Sequence, residues 1–244
     1  MAKATQSGTL VIMPTYNERM NIIHSIEELF KYNPDVHLLV VDDNSPDGTA
    51  ALVAEAQSRF AKRLFLLNRP GKQGLGPAYL AGFEWAFARP YTRIVEMDAD
   101  GSHRAEDLPL LLAERDFDLV IGSRWIPGGR VLNWPLIRKA ISRTGNFYTR
   151  LILNTKIRDM TAGFRVYKVQ LLKQLPLDRI SSQGYSFQVE MTLRSVQSNV
   201  KVKEVAITFV EREHGVSKMN TAIVLEALWL VTRWGVARLF GKNF

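Results

Sequence analysis

The segment Ile94–His103 reads Ile-Val-Glu-Met-Asp-Ala-Asp-Gly-Ser-His and joins an apolar run to a pair of aspartates. The run predicts a buried strand, and Asp98 and Asp100 follow where that strand ends. In an open sheet of parallel strands, ligands bind in the crevice at the carboxyl ends of the strands. We therefore expect both carboxylates at the edge of such a crevice.

Two carboxylates this close together repel each other and lose solvation. A hard divalent ion such as Mg²⁺ or Mn²⁺ would offset both costs, because it takes oxygen ligands and completes its shell with water and phosphate. A purely structural interpretation is also open, in which Asp98 ends the strand and Asp100 caps a turn. These two residues alone do not separate the interpretations.

The composition indicates an anionic partner. The 244 residues include 32 Lys and Arg against 24 Asp and Glu, for a formal charge of +8. Nucleic acid, a phosphorylated small molecule and an anionic membrane surface all fit that balance. The chain has no cysteine, which excludes disulfides and thiolate metal sites and fits a reducing cytoplasm. Residues 1–8 lack the basic-then-apolar pattern of a secretory signal.

Short β-branched runs alternate with helical segments in the first half of the chain, which predicts an α/β fold with a mostly parallel sheet. The predicted strands, the first of them ended by Pro14, are Thr9–Met13, His37–Val41, Leu64–Leu67, the run before Asp98, and Asp118–Gly122. The predicted helices are Asn21–Lys31, Thr49–Phe60, Pro77–Ala88 and Asp107–Glu114.

The second half is less regular. Trp125–Pro135 holds two glycines and two prolines and predicts a loop. After it we predict, in order, a basic helix from Leu136 to about Leu153, a strand Phe164–Lys168, a helix Phe187–Ser198 and a strand Val202–Val210. No linker is long or polar enough to separate two domains, so we expect a single domain over residues 1–244.

The last segment, Thr221–Phe240, is very apolar but carries three charged residues, Glu226, Arg233 and Arg238. Its longest uncharged stretch is shorter than the roughly 20 residues that span a bilayer. Two interpretations stay open. The segment is a core helix, or it rests on a membrane surface with Trp229, Trp234 and Phe240 at the interface.

Two common phosphate-binding motifs are missing. The first strand is not followed by Gly-x-Gly-x-x-Gly, and Gly71–Gly76 lacks the Gly-Lys-Ser/Thr ending of a Walker loop. A nucleotide would therefore be held by a metal ion and cationic side chains. Lys72 lies in this glycine-rich segment, where it either closes over a nucleotide or stays an exposed loop lysine.

The second strand ends in Asp42 and Asp43, whose side chains point to opposite faces. One carboxylate can serve the turn Ser45–Gly48, and we assign the other, Asp43, to a ligand. On the basic helix, Arg138 shares a face with Ser142 and Thr149 and is a candidate for a phosphate.

Motifs along nearly the whole chain resemble one family. They are Pro-Thr-Tyr-Asn-Glu at 14–18, Val-Asp-Asp-Asn-Ser-Pro-Asp-Gly-Thr at 41–49, Met-Asp-Ala-Asp at 97–100, Gly-Ser-Arg at 122–124, and the segments 159–165, 184–190 and 209–218. Together they resemble the polyprenol (dolichol) phosphate mannose synthases, which are inverting nucleotide-sugar glycosyltransferases with the GT-A fold. The likeness implies a Rossmann-like sheet flanked by helices, with a nucleotide-sugar half (1–124), an acceptor half (125–219) and a C-terminal amphipathic membrane-surface helix (220–244).

The resemblance also implies the reaction and its residues. Mannose would pass from GDP-mannose to polyprenyl monophosphate with inversion, giving β-mannosyl phosphoryl polyprenol and GDP. The implied nucleotide-sugar contacts are Pro14, Tyr16, Glu18, Val41, Asp43, Asp98, Ala99, Asp100, Arg124, Arg212 and Lys218. The implied metal ligands are Asp98 and Asp100, with Ser102 acting through water. To Asp98, Asp100, Arg124 and Arg212, the candidate catalytic set adds Arg138, which is chosen for its position on the basic helix and not from the resemblance. The role of Asp159 stays open, and His103 and His214 either touch phosphate or pack.

The polyprenyl acceptor predicts a protein on the cytoplasmic face of the membrane, with an integral-membrane protein as a further partner and no nucleic acid. The nearest alternative is transfer of another sugar, for example from UDP-glucose, because no residue reveals which sugar hydroxyls are recognised. A basic nucleic-acid-binding or membrane-binding module is an alternative of a different class.

Overall fold

The computed structural model describes residues 8–60, 62–180, 182, 184–212 and 221–239. In the first half the strands are β1 (Thr9–Thr15), β2 (His37–Asp42), β3 (Leu64–Asn68), β4 (Arg93–Glu96) and β5 (Leu119–Ser123). The helices are α1 (Ile22–Tyr32), α2 (Thr49–Ala56), α3 (Leu75–Phe87) and, after a 3₁₀ turn at Ala105–Asp107, α4 (Leu108–Ala113). The predicted alternation of strands and helices is confirmed, although α2 is shorter than predicted.

The second half adds β6 (Arg130–Leu132), α5 (Leu136–Ile152), β7 (Arg165–Lys168), α6 (Val169–Gln174), α7 (Gly184–Gln197), β8 (Val202–Ala206), β9 (Thr208–Val210) and α8 (Thr221–Leu239). The main sheet has the order β3-β2-β1-β4-β7-β5-β8. Among the strands that the structure describes in this sheet, only β7 runs antiparallel to its neighbours, β4 and β5. The prediction of a mostly parallel sheet is therefore confirmed.

Strand β1 sets the position of the ligand crevice. The chain adds β2 and β3 on one side of β1 and then crosses to add β4 on the other. Leu10 and Ile12 pack in one core layer with Phe83 of α3, and Val11 packs with Ile26 of α1 in the layer on the opposite face. Helices cover both faces of the sheet. The ligand crevice is expected at the carboxyl ends of β1 and β4, where the strand order reverses.

The prediction that Pro14 ends the first strand is wrong, because β1 continues to Thr15. Ile12 accepts a hydrogen bond from Met97 on the β4 side, and Thr15 accepts one from Asp43 on the β2 side. By this alternation, the backbone nitrogen of Pro14 faces the β4 side, where β4 has already ended at Glu96. The hydrogen bond that proline lacks is therefore not needed at this position.

Two predictions for the second half are wrong. The predicted loop Trp125–Pro135 contains β6, and the predicted strand Val202–Val210 is two strands, because β9 leaves the main sheet to pair with β6. Gly129 makes the turn before β6 possible, since a Cβ there would lie 2.6 Å from the backbone oxygen of Ser123. In this small sheet, Phe209 of β9 forms an isolated antiparallel bridge with His103, close to the aspartates.

Helix α8 packs against α5 and α7. Its Trp229 is exposed, but Trp234 is only 7% exposed and belongs to the core, so the prediction that Trp234 lies at a membrane interface is wrong. Phe240 lies outside the described residues. Among the helices that the structure describes, none is both long and apolar enough to cross a membrane.

Candidate active site

A cleft of about 330 Å³ opens at the carboxyl ends of β1, β2, β4 and β5. Both predicted halves of the chain contribute to its wall. The residues of the first half include Pro14, Tyr16, Glu18, Asp43, Lys72, Asp98, Ala99, Asp100, His103 and Arg124. Those of the second half include Trp134, Arg138, Thr161, Gly163, Gln188, Phe209 and Arg212. The structure thus brings together most of the predicted site residues.

Asp98 and Asp100 lie at the end of β4, as predicted, and both line the cleft. The side chain of Asp98 is about one-third exposed, whereas Asp100 is nearly buried. Asp100 Oδ1 accepts a hydrogen bond of 3.0 Å from the backbone of Ser102, and its Oδ2 lies 3.2 Å from the guanidinium of Arg212. The positive charge of Arg212 therefore already lies beside Asp100, as expected where two carboxylates are close together.

His103 supports the loop that carries Asp98 and Asp100, which is called the aspartate loop below. Its Nδ1 accepts a hydrogen bond of 3.0 Å from the backbone N–H of Asp98, which leaves the ring proton on Nε2. The ring stacks on Phe164 and meets Phe209 edge-on. Burial lowers the pKa of His103, so the ring is neutral and packed. Of the two interpretations of His103, this geometry favours packing.

The carboxylates fit a divalent ion of the type that substrate phosphates help to hold. The described residues contain no cluster of three Asp, Glu or His side chains that could enclose a metal. Mg²⁺ is commonly held by one or two carboxylates together with water and substrate phosphates, and Asp98 and Asp100 meet that requirement. Ser102 does not line the cleft, and its hydroxyl is buried without a hydrogen-bond partner among the described residues.

Arg124 is held in a buried ion pair with Asp159. The Nε and Nη2 groups of Arg124 donate to the two carboxylate oxygens at 2.8 and 2.7 Å, and its backbone N–H donates to Oδ2 at 2.9 Å. Asp159 therefore fixes the orientation of Arg124, which identifies a structural role that the sequence left open. The pairing also offsets the charge that Arg124 presents to the cleft.

Two consecutive residues after β9, Glu211 and Arg212, each form an ion pair in the cleft. Glu211 forms an ion pair with Arg138, and the next residue, Arg212, pairs with Asp100. The guanidinium of Arg138 also lies over the ring of Trp134, 4.0 Å from its centroid. The two pairs connect the first turn of α5 to the aspartate loop across one short segment.

The part of the cleft next to β1 and β2 is lined by Pro14, Tyr16, Glu18 and Asp43. Asp42 accepts hydrogen bonds from Thr15 and Ser45, so it is the carboxylate that serves the turn, as predicted. Asp43 faces the cleft and accepts from Arg69 at 2.5 Å and from the backbone of Gln73 at 3.3 Å.

Val41 differs from these residues, because it is fully buried in the core and does not line the cleft. Lys72 is an exposed loop residue that also lines the cleft, with its ammonium 4.4 Å from the centroid of the Tyr16 ring, so both interpretations of Lys72 stay open. Lys218 and His214 lie outside the described residues.

Sequence reasoning missed two buried polar residues, Glu96 in β4 and Gln188 in α7, of which Gln188 lines the cleft and Glu96 does not. Glu96 is fully buried, and burial raises the pKa of its carboxyl to about 7, although Arg165 and Gln188 favour its charged form. Gln188 lines the cleft and is itself almost inaccessible to solvent. The sequence did contain a signal for this feature, because Glu96 is a charged residue inside the apolar run that precedes Asp98.

Comparisons with known proteins agree with this geometry. Residues 10–176 match the model of glycosyl transferase family 2. The chain is 48% identical to polyprenol monophosphomannose synthase of Mycolicibacterium smegmatis, covering 93% of this chain and 87% of that protein. It is 49% identical to undecaprenyl-phosphate mannosyltransferase of Micrococcus luteus, covering 93% and 94% of the two chains.

A solved structure shows the same fold at low identity. It is glucosyl-3-phosphoglycerate synthase of Mycobacterium tuberculosis in complex with Mn²⁺, UDP and phosphoglyceric acid. The TM-score is 0.66 at 16% identity, and the match covers 97% of this chain and 78% of that one.

Proposed function

The chain belongs to glycosyl transferase family 2, and we propose that it transfers mannose from GDP-mannose to a polyprenyl monophosphate. The observation that carries the proposal is a single cleft that has a carboxylate pair at one end and arginines beside an apolar groove at the other. The names of the two relatives support mannose as the sugar and a polyprenyl phosphate as the acceptor.

The donor fits the end of the cleft formed by Asp43, Asp98 and Asp100. The two aspartates would hold a divalent ion, and the Mn²⁺ and UDP bound by the solved relative support a metal–diphosphate arrangement in this fold. Such an ion, when bound, neutralises the negative charge that develops on the departing GDP. Arg212 lies close enough to Asp100 to pair with the same diphosphate.

The acceptor brings its own nucleophile. A phosphate monoester has a second pKa of about 6, so a terminal oxygen is already charged near neutral pH and needs no general base. Arg138, supported on Trp134, would hold this phosphate by paired hydrogen bonds, with Arg124 beside it. The phosphate oxygen then attacks C1 of mannose from the face opposite GDP.

The bond between C1 and the diphosphate oxygen breaks as the new C1–O bond forms, and its electron pair leaves with GDP. An α-linked donor therefore gives a β-mannosyl phosphate lipid. In this single displacement no residue of the chain forms a covalent intermediate with the sugar.

We further propose that the protein works on the cytoplasmic face of a membrane. Large apolar side chains are exposed on α5 and α8, namely Leu136, Ile137, Ile141, Phe147, Leu151, Leu225, Leu228, Trp229 and Val236. Basic residues on α5, such as Arg143 and Arg150, suit anionic headgroups. An integral-membrane protein as a neighbour would share the same surface.

The test is a transfer assay with the purified chain, a short polyprenyl phosphate, Mg²⁺ or Mn²⁺, and a panel of sugar nucleotides. We expect mannosyl lipid from GDP-mannose and little product from UDP-glucose. Preferential transfer of glucose would support the same fold with another donor. Absence of transfer from every donor, with salt-dependent binding of oligonucleotides instead, would favour a nucleic-acid-binding module.

A further inference from the structure

We infer that Ser25 of α1 is a positioning residue for the donor diphosphate and acts through the peptide bond between Ala99 and Asp100. The inference rests on the proposed function, in which the diphosphate binds beside the aspartate loop. Ser25 Oγ donates a hydrogen bond of 2.8 Å to the backbone oxygen of Ala99, 74 positions later in the chain. Ser25 is 5% exposed and Ala99 is 3% exposed, so this bond is shielded from water.

The hydroxyl of Ser25 bonds outside its own helix. A buried serine or threonine inside a helix commonly donates to the backbone oxygen four residues earlier. Thr149, Thr192 and Ser195 do so in this protein, at 2.7 or 2.8 Å. For Ser25 the corresponding oxygen, that of Asn21, accepts from the backbone N–H at 3.0 Å, and the hydroxyl reaches the aspartate loop instead. The hydroxyl therefore ties α1 to this loop.

The bond from Ser25 fixes the direction of one peptide group. The peptide between Ala99 and Asp100 is trans, so its oxygen and its N–H point in opposite directions. Because the oxygen faces α1, the N–H of Asp100 points away from α1. No described residue of α1 lines the cleft, whereas Ala99 and Asp100 both do.

The N–H of Asp100 is a donor that the protein itself does not use. In the described part of the chain, no group accepts a hydrogen bond from it. Backbone N–H groups bind phosphate oxygens by charge-assisted hydrogen bonds. A diphosphate that sits against the aspartate loop would accept from this N–H, provided that Ser25 keeps the peptide in its present direction.

Other contacts hold the two carboxylates. His103 accepts from the backbone N–H of Asp98, and the backbone N–H of Ser102 donates to the Asp100 carboxylate. Without the hydroxyl of Ser25, the peptide that it holds can rotate between its two Cα atoms, while these other bonds remain. Loss of the hydroxyl should therefore disturb the Asp100 N–H more than the carboxylates of Asp98 and Asp100.

The experiment compares binding of GDP in the presence of Mn²⁺, by calorimetry, with binding of Mn²⁺ alone, by electron paramagnetic resonance. Ser25→Ala should weaken GDP about fivefold or more, because a donor to the diphosphate is no longer held in place. Its affinity for Mn²⁺ alone should stay within about twofold of wild type, because both carboxylates keep their other contacts.

Ser195→Ala is the matched control. Ser195 is also a buried helical serine, but its hydroxyl donates within α7, to the backbone oxygen of Met191 at 2.7 Å. The free energy of unfolding in urea should fall by a similar amount in Ser25→Ala and Ser195→Ala, because each loses one buried hydroxyl. Only Ser25→Ala should lose affinity for GDP.

A second pair of variants separates the hydroxyl from the shape of the side chain. Ser25 borders a cavity of about 150 Å³ on the side of α1, which leaves room for one more methyl group. Ser25→Thr keeps the hydroxyl and should bind GDP within about twofold of wild type. Ser25→Val has the same shape without the hydroxyl and should resemble Ser25→Ala.

Equal binding of GDP by wild type, Ser25→Ala and Ser25→Val would overturn the role of Ser25 and leave the proposed function intact. An equal loss of affinity for Mn²⁺ alone and for GDP would also overturn it, because Ser25 would then hold the loop as a whole. So would an equal loss in Ser25→Thr and Ser25→Val. If wild type bound Mn²⁺ but no GDP, the proposed donor would be wrong, and the role of Ser25 toward its diphosphate with it.

Discussion

The guanidinium of Arg212 lies 3.2 Å from Oδ2 of Asp100, one of the two carboxylates at the end of β4. The residue before it, Glu211, is paired with Arg138 at the start of α5. Before any ligand binds, therefore, the guanidinium of Arg212 lies at the proposed metal site, and the carboxylate of Glu211 is paired with Arg138, the proposed acceptor-binding arginine.

The first prediction concerns Arg212. Because its charge sits beside Asp100, Arg212→Gln should raise the affinity of the protein for Mn²⁺ alone severalfold. The same change should weaken GDP in the presence of Mn²⁺, because a cation that pairs with the diphosphate is gone. Mn²⁺ binding followed by electron paramagnetic resonance and GDP binding by calorimetry measure the two effects. Unchanged Mn²⁺ affinity would show that Arg212 does not compete at Asp100.

The second prediction concerns Glu211, which an acceptor phosphate must displace from Arg138. Glu211→Gln should strengthen farnesyl phosphate binding about fivefold, the effect of removing one partly buried ion-pair partner. Glu27→Gln is the control, because Glu27 of α1 forms an exposed ion pair with Arg59, which follows α2. Weaker binding of farnesyl phosphate by Glu211→Gln would contradict the proposed position of the acceptor.

The third prediction concerns the buried pair between Arg124 and Asp159. Asp159→Ala removes the carboxylate that pairs with the buried guanidinium of Arg124, so the free energy of unfolding should fall by about 3–5 kcal/mol. Loss of the exposed partner in Glu27→Gln should cost less than about 1 kcal/mol. Urea unfolding followed by circular dichroism gives both values. A small effect of Asp159→Ala would mean that Arg124 finds another anion or reaches solvent.

The fourth prediction concerns pH. Burial lowers the pKa of His37 from 6.5, with a contribution from Arg63, and the ring nitrogen Nδ1 lies 2.8 Å from the hydroxyl of Tyr91. The folded chain therefore binds a proton here less readily than the unfolded chain, and stability falls as the pH drops below the ordinary value.

Between about pH 7.5 and about pH 5.5, the free energy of unfolding should decrease more for wild type than for His37→Gln. Urea unfolding at the two pH values measures the difference. His103, whose pKa is also lowered, remains in both proteins and does not affect the comparison. Equal slopes would show that His37 is not held neutral by the fold.

The parallel half of the fold could be predicted because its signals are local. Each strand of the first half contains a short apolar run, and the carboxyl ends of parallel strands meet at one edge of the sheet, which is why Asp43 and Asp98 could be assigned to the same crevice. The exceptions depend on long-range contacts. Pro14 stays in its strand only because β4 ends early, and β9 separates from β8 only because β6 pairs with it.

Most of the residues that line the site could be predicted from the sequence, but the ion pairs that these residues form could not. Arg124 was expected to face phosphate, but Asp159, 35 positions later, accepts hydrogen bonds from Nε and Nη2 along one edge of its guanidinium. Val41 was assigned to the nucleotide from its motif, although its place in a central strand buries its side chain. Pairings between residues far apart in sequence depend on the folded geometry, which periodicity does not encode.

The most direct test of the account is mannose transfer from GDP-mannose to a short polyprenyl phosphate, compared between wild type and Asp98→Asn with and without Mg²⁺. We predict that wild type forms the mannosyl lipid only with the metal, and that Asp98→Asn is slower by about a hundredfold or more while still folded. Undiminished transfer by Asp98→Asn, or by wild type after chelation of all divalent ions, would contradict the account.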